Sequence, residues 1–147
     1  MLKISRLADY STVIMNHLAS QSGQRFSATV IAEQVGMAVP TVSKVLKQLL
    51  EADLLTSTRG ASGGYQLAKS PEQISVAEII TAIDGKPAVT QCCDVHDSCS
   101  LEKECHLRGN WQLINQIVLD VLNSLSLADM QQPLSLDIPI QFHSLTE

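Results

Sequence analysis

Apolar residues recur at helical spacing through most of this chain. Leu7, Tyr10, Ile14 and Leu18 share one face of a helix predicted over residues 5–20. "SQSGQRF" interrupts the pattern, with Gly23 as its breaker. Ser27 then stands where an N-cap belongs, ahead of Val30, Ile31 and Val35, and Gly36 stops that short helix. Pro40 suits the first turn of the next helix, where its missing N–H costs nothing. The apolar face of that helix is Val42, Val45, Leu46, Leu49 and Leu50. A short helix, a tight turn and a second helix make a helix-turn-helix pattern.

The period then changes. Two strand-like runs, Leu54 to Thr58 and Tyr65 to Ala68, flank a glycine-rich hairpin. Ser75 and Glu78 form a capping box before Val76, Ile79, Ile80 and Ile83, and Gly85 is placed to end that helix. Farther on, Leu107, Trp111, Ile114, Val118, Val121 and Leu125 are spaced 4, 3, 4, 3, 4, an a/d seam. Leu113, Ile117 and Leu122 make a second stripe. A helix apolar on two sides must bury both, one against its own domain and one against a twin subunit. The expected fold is mostly α with a small β wing. A winged helix-turn-helix occupies residues 1–88, a cysteine loop 89–106, a dimerisation helix 107–130 and a tail without periodicity 131–147.

Composition supports a core: 45% of the 147 residues are hydrophobic, which argues against wholesale disorder. No apolar run reaches the ~20 residues of a membrane-spanning helix, and "MLKISRLADYS" lacks the apolar core of a secretory signal, so a cytoplasmic location is expected. The net charge of −5 disfavours a polyanion partner until it is divided along the chain. Residues 1–70 carry seven Lys or Arg against four Asp or Glu, whereas residues 71–147 carry three against eleven. Only the first half is suited to meet nucleic acid.

On the third helix, Pro40, Thr41, Ser43, Lys44, Lys47 and Gln48 lie opposite the apolar face. Short polar and basic side chains early in a helix are what a major-groove reader needs, although an ordinary solvated face looks similar. Lys44 suits guanine acceptors and Lys47 suits phosphate. The hairpin "TRGASGGY" adds Arg59 at its tip, with Gly60, Gly63 and Gly64 permitting close backbone approach. An arginine on such a wing fits a narrow minor groove. Aromatics are only 3% of the chain, so there is no stacking platform for single strands, and duplex DNA is the expected partner.

All four cysteines fall within "CCDVHDSCSLEKECH", residues 92–106. Cys93, Cys99 and Cys105 are separated by five residues each, and Cys92 adjoins the first. In a reducing compartment such a group points to metal or redox chemistry rather than a structural disulfide. The spacing is not the paired C-x2-C of most structural zinc sites. An iron–sulfur cluster and a Cys3His zinc site using His96 or His106 both fit, ahead of a regulatory disulfide or free thiols. Adjacent cysteines rarely serve one centre, which makes Cys92 a bystander. No dinucleotide fingerprint or catalytic dyad is present, so an enzyme or electron carrier is disfavoured.

The order of "LADYS", "TRGASGGYQLA", "ISVAEIITAIDG", the three-cysteine loop and a long apolar helix resembles the IscR and NsrR family of bacterial winged-helix regulators over roughly residues 1–130. The acidic loop, "NWQLINQ" and "SLADM" look most like the branch that regulates SUF iron–sulfur assembly genes. The resemblance implies a homodimeric repressor binding a pseudo-palindromic operator, with residues 40–44 in the major groove and Arg59 at the minor groove. It also implies that Cys93, Cys99 and Cys105 carry a [2Fe–2S] or [4Fe–4S] cluster, the former preferred. The IscR branch has a fourth-ligand histidine three residues after the last cysteine, and here that position is Arg108. The NsrR branch uses an aspartate of the first helix, matched here by Asp9 and supplied across the dimer. Asp9 equally suits a helix N-terminal carboxylate. His96 stays a candidate, His106 is awkwardly close to Cys105, and His17 reads as a partly buried polar residue. A nitric-oxide or redox sensor of the same family, and a zinc-stapled winged helix, are the competing readings.

Overall fold

A computed structural model describes residues 4–94, 99 and 104–134. Among these residues five helices and one antiparallel hairpin follow in the order α1 (Arg6–Ser20), α2 (Ala28–Val35), α3 (Val39–Glu51), β1 (Leu55–Thr58), β2 (Gly64–Leu67), α4 (Val76–Asp84) and α5 (Arg108–Ser124). Short 3-10 turns at Pro71–Gln73, Gln91–Cys93 and Asp129–Gln131 punctuate the connections.

Local chemistry sets most helix ends. The Ser5 hydroxyl accepts from the Ala8 N–H, the Ser27 hydroxyl from Val30, and the Ser75 hydroxyl from Glu78. The Glu78 carboxylate returns the bond to the Ser75 N–H at 2.8 Å, completing the capping box. Gly36 ends α2 in the left-handed conformation. Pro40 is the second residue of α3.

The core is built from Ile14, Met15 and Leu18 of α1, Ile31 of α2, Val42, Val45, Leu46 and Leu49 of α3, Leu54, Leu55, Ile74 and Ile79. Leu50, expected inside, is half-buried at its edge. His17 is half-buried as expected, its Nε2 2.8 Å from Gln34 Oε1 and its ring against Phe26.

The wing pairs Leu55 with Leu67, Thr56 with Gln66, Ser57 with Tyr65 and Thr58 with Gly64. Its second strand begins one residue earlier than the apolar pattern implies, because Gly64 joins the ladder. The loop after α1 adds a third partner: Phe26 and Tyr65 exchange both backbone hydrogen bonds, at 3.1 and 2.8 Å.

Helix α5 leans on α4 through Asn115 and Leu119. The chain then turns back. The Val76 N–H donates to the Leu125 carbonyl, the Leu127 N–H donates to Ile74, and the Leu127 side chain enters the core with no exposed surface. The helix therefore stops at Ser124, and residues 125–131 rejoin the first unit rather than extending α5. The tail from 135 onward lies outside the described residues. Among the described residues no helix is long and apolar enough to cross a membrane.

Candidate functional site

Two groups of candidate residues sit in opposite halves of the sequence. The first is built on α3 and the wing. Pro40, Ser43, Lys44 and Lys47 are exposed along α3, and Thr41 is half-buried beside buried Val42. Lys47 makes an i,i+4 pair with Glu51 at 3.9 Å. Both side chains are largely in water, so the pair is worth only a few tenths of a kcal/mol and yields readily to a phosphate. Gln48, counted on the polar face, is half-buried. No side chain among the described residues caps the start of α3 at Ala38. Its first N–H groups and its positive dipole end are therefore open, an arrangement favourable to anions.

Arg59 is exposed at the tip of the hairpin, beside Gly60 at φ +111°. Gly63 and Gly64 serve the wing itself. A Cβ at Gly63 would strike the Thr58 carbonyl, and one at Gly64 would come within 2.6 Å of the Phe26 backbone. Their small size is demanded by closure of the hairpin and by the Phe26–Tyr65 bridge, a reason that the sequence did not reveal.

The second group lies at the start of α5. Cys93 and Cys105 are brought to this end of the helix. The Cys93 thiol donates to the Trp111 carbonyl at 3.4 Å, and the Arg108 N–H donates to the Cys105 carbonyl at 3.4 Å. The Thr90 hydroxyl lies 3.1 Å from Cys92 Sγ and 3.4 Å from Cys93 Sγ. All four thiols are free and partly exposed, Cys99 included. No side chain among the described residues caps α5 at Leu107, which leaves positive partial charge beside the sulfurs. Accessible thiols at an uncapped helix start suit an anionic thiolate-bound metal centre. Among the described residues, however, no three potential ligands already converge on one point. His96 lies outside the described residues, His106 is exposed next to Cys105, and Asp9 is exposed on α1.

Sequence reading missed Asn115. It falls in neither apolar stripe, yet it is one of the two most buried residues of α5, and its Oδ1 accepts from the Val89 N–H at 2.9 Å. This amide fastens the segment leading into the cysteines to the helix that follows them. Asn115 is one of several polar residues of this helix and is followed directly by Gln116, so nothing in the pattern singled it out, and its partner is 26 residues away.

The predicted dimer seam divides. Leu107, Ile114, Leu113 and Ile117 are 57, 42, 48 and 37% exposed, while Trp111 is at the margin of exposure. Val118 and Val121 are half-buried, and Leu125 has left the helix. Buried Leu119, absent from both predicted stripes, holds the domain side.

A recognition helix with open polar positions, braced by a hairpin carrying a basic tip, defines a winged-helix DNA-binding regulator. Residues 4–133 match the Rrf2 family model, described as an iron-dependent transcriptional regulator, and the chain belongs to that family. Protein rrf2 of Nitratidesulfovibrio vulgaris is 31% identical over 136 residues, 92% of this chain and 91% of that one. Among solved structures, IscR of T. potens is 32% identical with a TM-score of 0.65, covering 88% of this chain and 85% of its own. CymR (YrzC), the global cysteine regulator of B. subtilis, is 29% identical with a TM-score of 0.71, covering 92% of this chain and all of that one. The resemblance read from the motifs holds at the level of the family. The chain is a transcriptional regulator that binds DNA, and not an enzyme.

Proposed function

We propose that this chain is a cytoplasmic, homodimeric, iron–sulfur-dependent repressor of iron–sulfur assembly genes of the SUF type. The observation that carries the proposal is that Cys93 and Cys105 lie at the start of the helix that also bears the exposed apolar face, with a third free thiol, Cys99, between them in sequence. These three thiolates hold a [2Fe–2S] or [4Fe–4S] cluster, and Asp9 of the partner subunit completes the set. When bound, such a cluster supplies a centre that oxidants, nitric oxide or iron shortage can remove. Cys92 is left beside Thr90 as a spare thiol.

The protein's own residues turn occupancy into a DNA response. The Thr90 hydroxyl donates to the sulfur of the first ligand, and Asn115 fixes the approach of the chain to it. Helix α5 rests on α4, and α4 rests on α1 and α3. A change at the cysteines therefore reaches the recognition helix through packed helices. In the dimer, the exposed face of α5 meets its twin and sets the distance between two copies of α3 and two wings over a pseudo-palindrome. A coupling of about 1–3 kcal/mol, or roughly 5- to 150-fold in affinity, makes a working switch. On each half-site Pro40, Thr41, Ser43 and Lys44 enter the major groove, Lys47 meets phosphate, and Arg59 enters the minor groove.

Protein prepared without air should be coloured, with iron and acid-labile sulfide that Cys99→Ala loses. Colourless protein carrying stoichiometric zinc would end the cluster proposal in favour of a zinc staple. Arg59→Ala and Lys44→Ala should each weaken operator binding. Wild-type affinity in both would refute the assigned DNA face.

Exposed Asp9, together with Arg108 in place of the IscR-branch histidine, favours one second reading: a nitric-oxide or redox sensor of the same family. Promoter release at stoichiometric nitric oxide, with no response to iron supply, would select it.

A further inference from the structure

A groove of about 630 Å3 runs between the loop after α1, the start of α2 and the wing. Gly23, Arg25, Ser27, Ser62, Gly63 and Gln66 line it, and no carboxylate among the described residues does, in a chain of net charge −5. Arg25 supplies its charge. The Arg25 Nε donates to Gln66 Oε1 at 3.0 Å, across 41 residues of sequence, and its terminal nitrogens have no partner among the described residues. The Phe26–Tyr65 backbone bridge locks the same loop to the same strand. The guanidinium is thus held from the wing side, while glycine, alanine and serine keep the rest of the wall low.

Position says what such a seat is for. In helix-turn-helix docking the first helix of the motif crosses the DNA backbone while the second enters the major groove. Here α2 is that first helix, and the groove lies between its start and the wing. We propose that Arg25, held by Gln66, seats one backbone phosphate of the bound duplex, clamping the strand that passes from the α3 groove to the Arg59 groove. A guanidinium with one edge fixed and its outer nitrogens open suits bidentate capture of phosphate oxygens. The seat would fix the register of the wing on DNA and carry no base information. This inference rests on the DNA-binding reading and extends it to a residue outside both the recognition helix and the wing tip.

The test uses full-length protein as purified, with and without air, a duplex that wild type selects from a random pool, and an unrelated duplex of equal length. Arg25→Ala should bind both roughly tenfold more weakly, with wild-type melting behaviour. Its salt dependence should be shallower by about 0.9 for each phosphate that the variant leaves unneutralised. Gln66→Ala keeps the charge but frees the guanidinium, so it should weaken binding less and keep the wild-type slope. A neutral methylphosphonate walked along the duplex should find one position per half-site where wild type is sensitive and Arg25→Ala is not. An unchanged salt slope in Arg25→Ala, or weakening confined to one sequence, overturns the seat while leaving the DNA reading intact. Arg25-dependent binding of inorganic phosphate with undisturbed DNA binding would assign the groove to a free anion and also overturn it. If wild type retained no duplex from the pool, the DNA reading itself would fall and take the seat with it.

Discussion

At Gly64 the wing and the loop after α1 press backbone against backbone. An alanine there must push its Cβ into the Phe26 peptide from φ +145°, a conformation side chains rarely adopt. Gly64→Ala should open the Phe26–Tyr65 bridge, cost about 1–3 kcal/mol in thermal or urea unfolding, and weaken operator binding through a displaced wing. The capping box gives a second prediction. Burial pushes the Glu78 carboxyl up, but hydrogen bonds from the Ser75 N–H and hydroxyl and from Lys69 outweigh it and hold the group below its ordinary value. A carboxylate depressed in the folded state stabilises above its unfolded pKa and loses that contribution as pH falls through the folded value. Glu78→Gln should therefore be less stable than wild type at pH 7, by a fraction of a kcal/mol given its 39% exposure. The gap should narrow only as melts are taken below the ordinary carboxylate range, where the depressed group at last takes up its proton. Ser75→Ala should cost about 1 kcal/mol at pH 7, most of it persisting in acid because the lost N-cap bond to the Glu78 N–H does not titrate. This box was legible in advance because both partners lie within one turn. The Arg25–Gln66 and Asn115–Val89 pairs were not, because only the fold brings their members together.

Helix α5 shows the same division one level up. Its 4-3 spacing found an apolar surface that the domain leaves open at Ile114, but not the inward face, which centres on Asn115 and Leu119. A helix with two apolar stripes does not reveal from sequence which side its neighbour takes. Here α4 selects that side. The two faces predict different failures. Ile114→Glu with Ile117→Glu should leave helix content and melting nearly unchanged but shift sedimentation to monomer and sharply lower operator affinity. Leu119→Ala should instead destabilise the fold by roughly 2–4 kcal/mol through the cavity it leaves. Helices α1 to α4 and the wing were legible to within a residue or two. Each had a capping serine, a glycine stop or a proline at a place where only one chemistry works.

Over the whole molecule, α4 packs on α1 and α3, and two further ties hold the cysteine segment and α5 in place. Asn115 is one of them. Asn115→Leu removes the acceptor for the Val89 N–H, so the approach to the cysteines should loosen while the winged helix persists. Air-exposed samples should then lose their visible absorption faster than wild type, with unfolding costs of about 1–3 kcal/mol. The other tie is the return of the chain after α5, where Leu127 plugs the core and its N–H reaches Ile74. This fastening turns α5 into a lever with a fulcrum at its far end. With that end held, a disturbance at the sulfurs would be expressed as tilt or roll of the rod, with the largest displacement at the cysteine end. Cutting the chain before residue 127 would remove the fulcrum, so a shortened protein that still bound the proposed cluster should no longer pass its occupancy on to DNA.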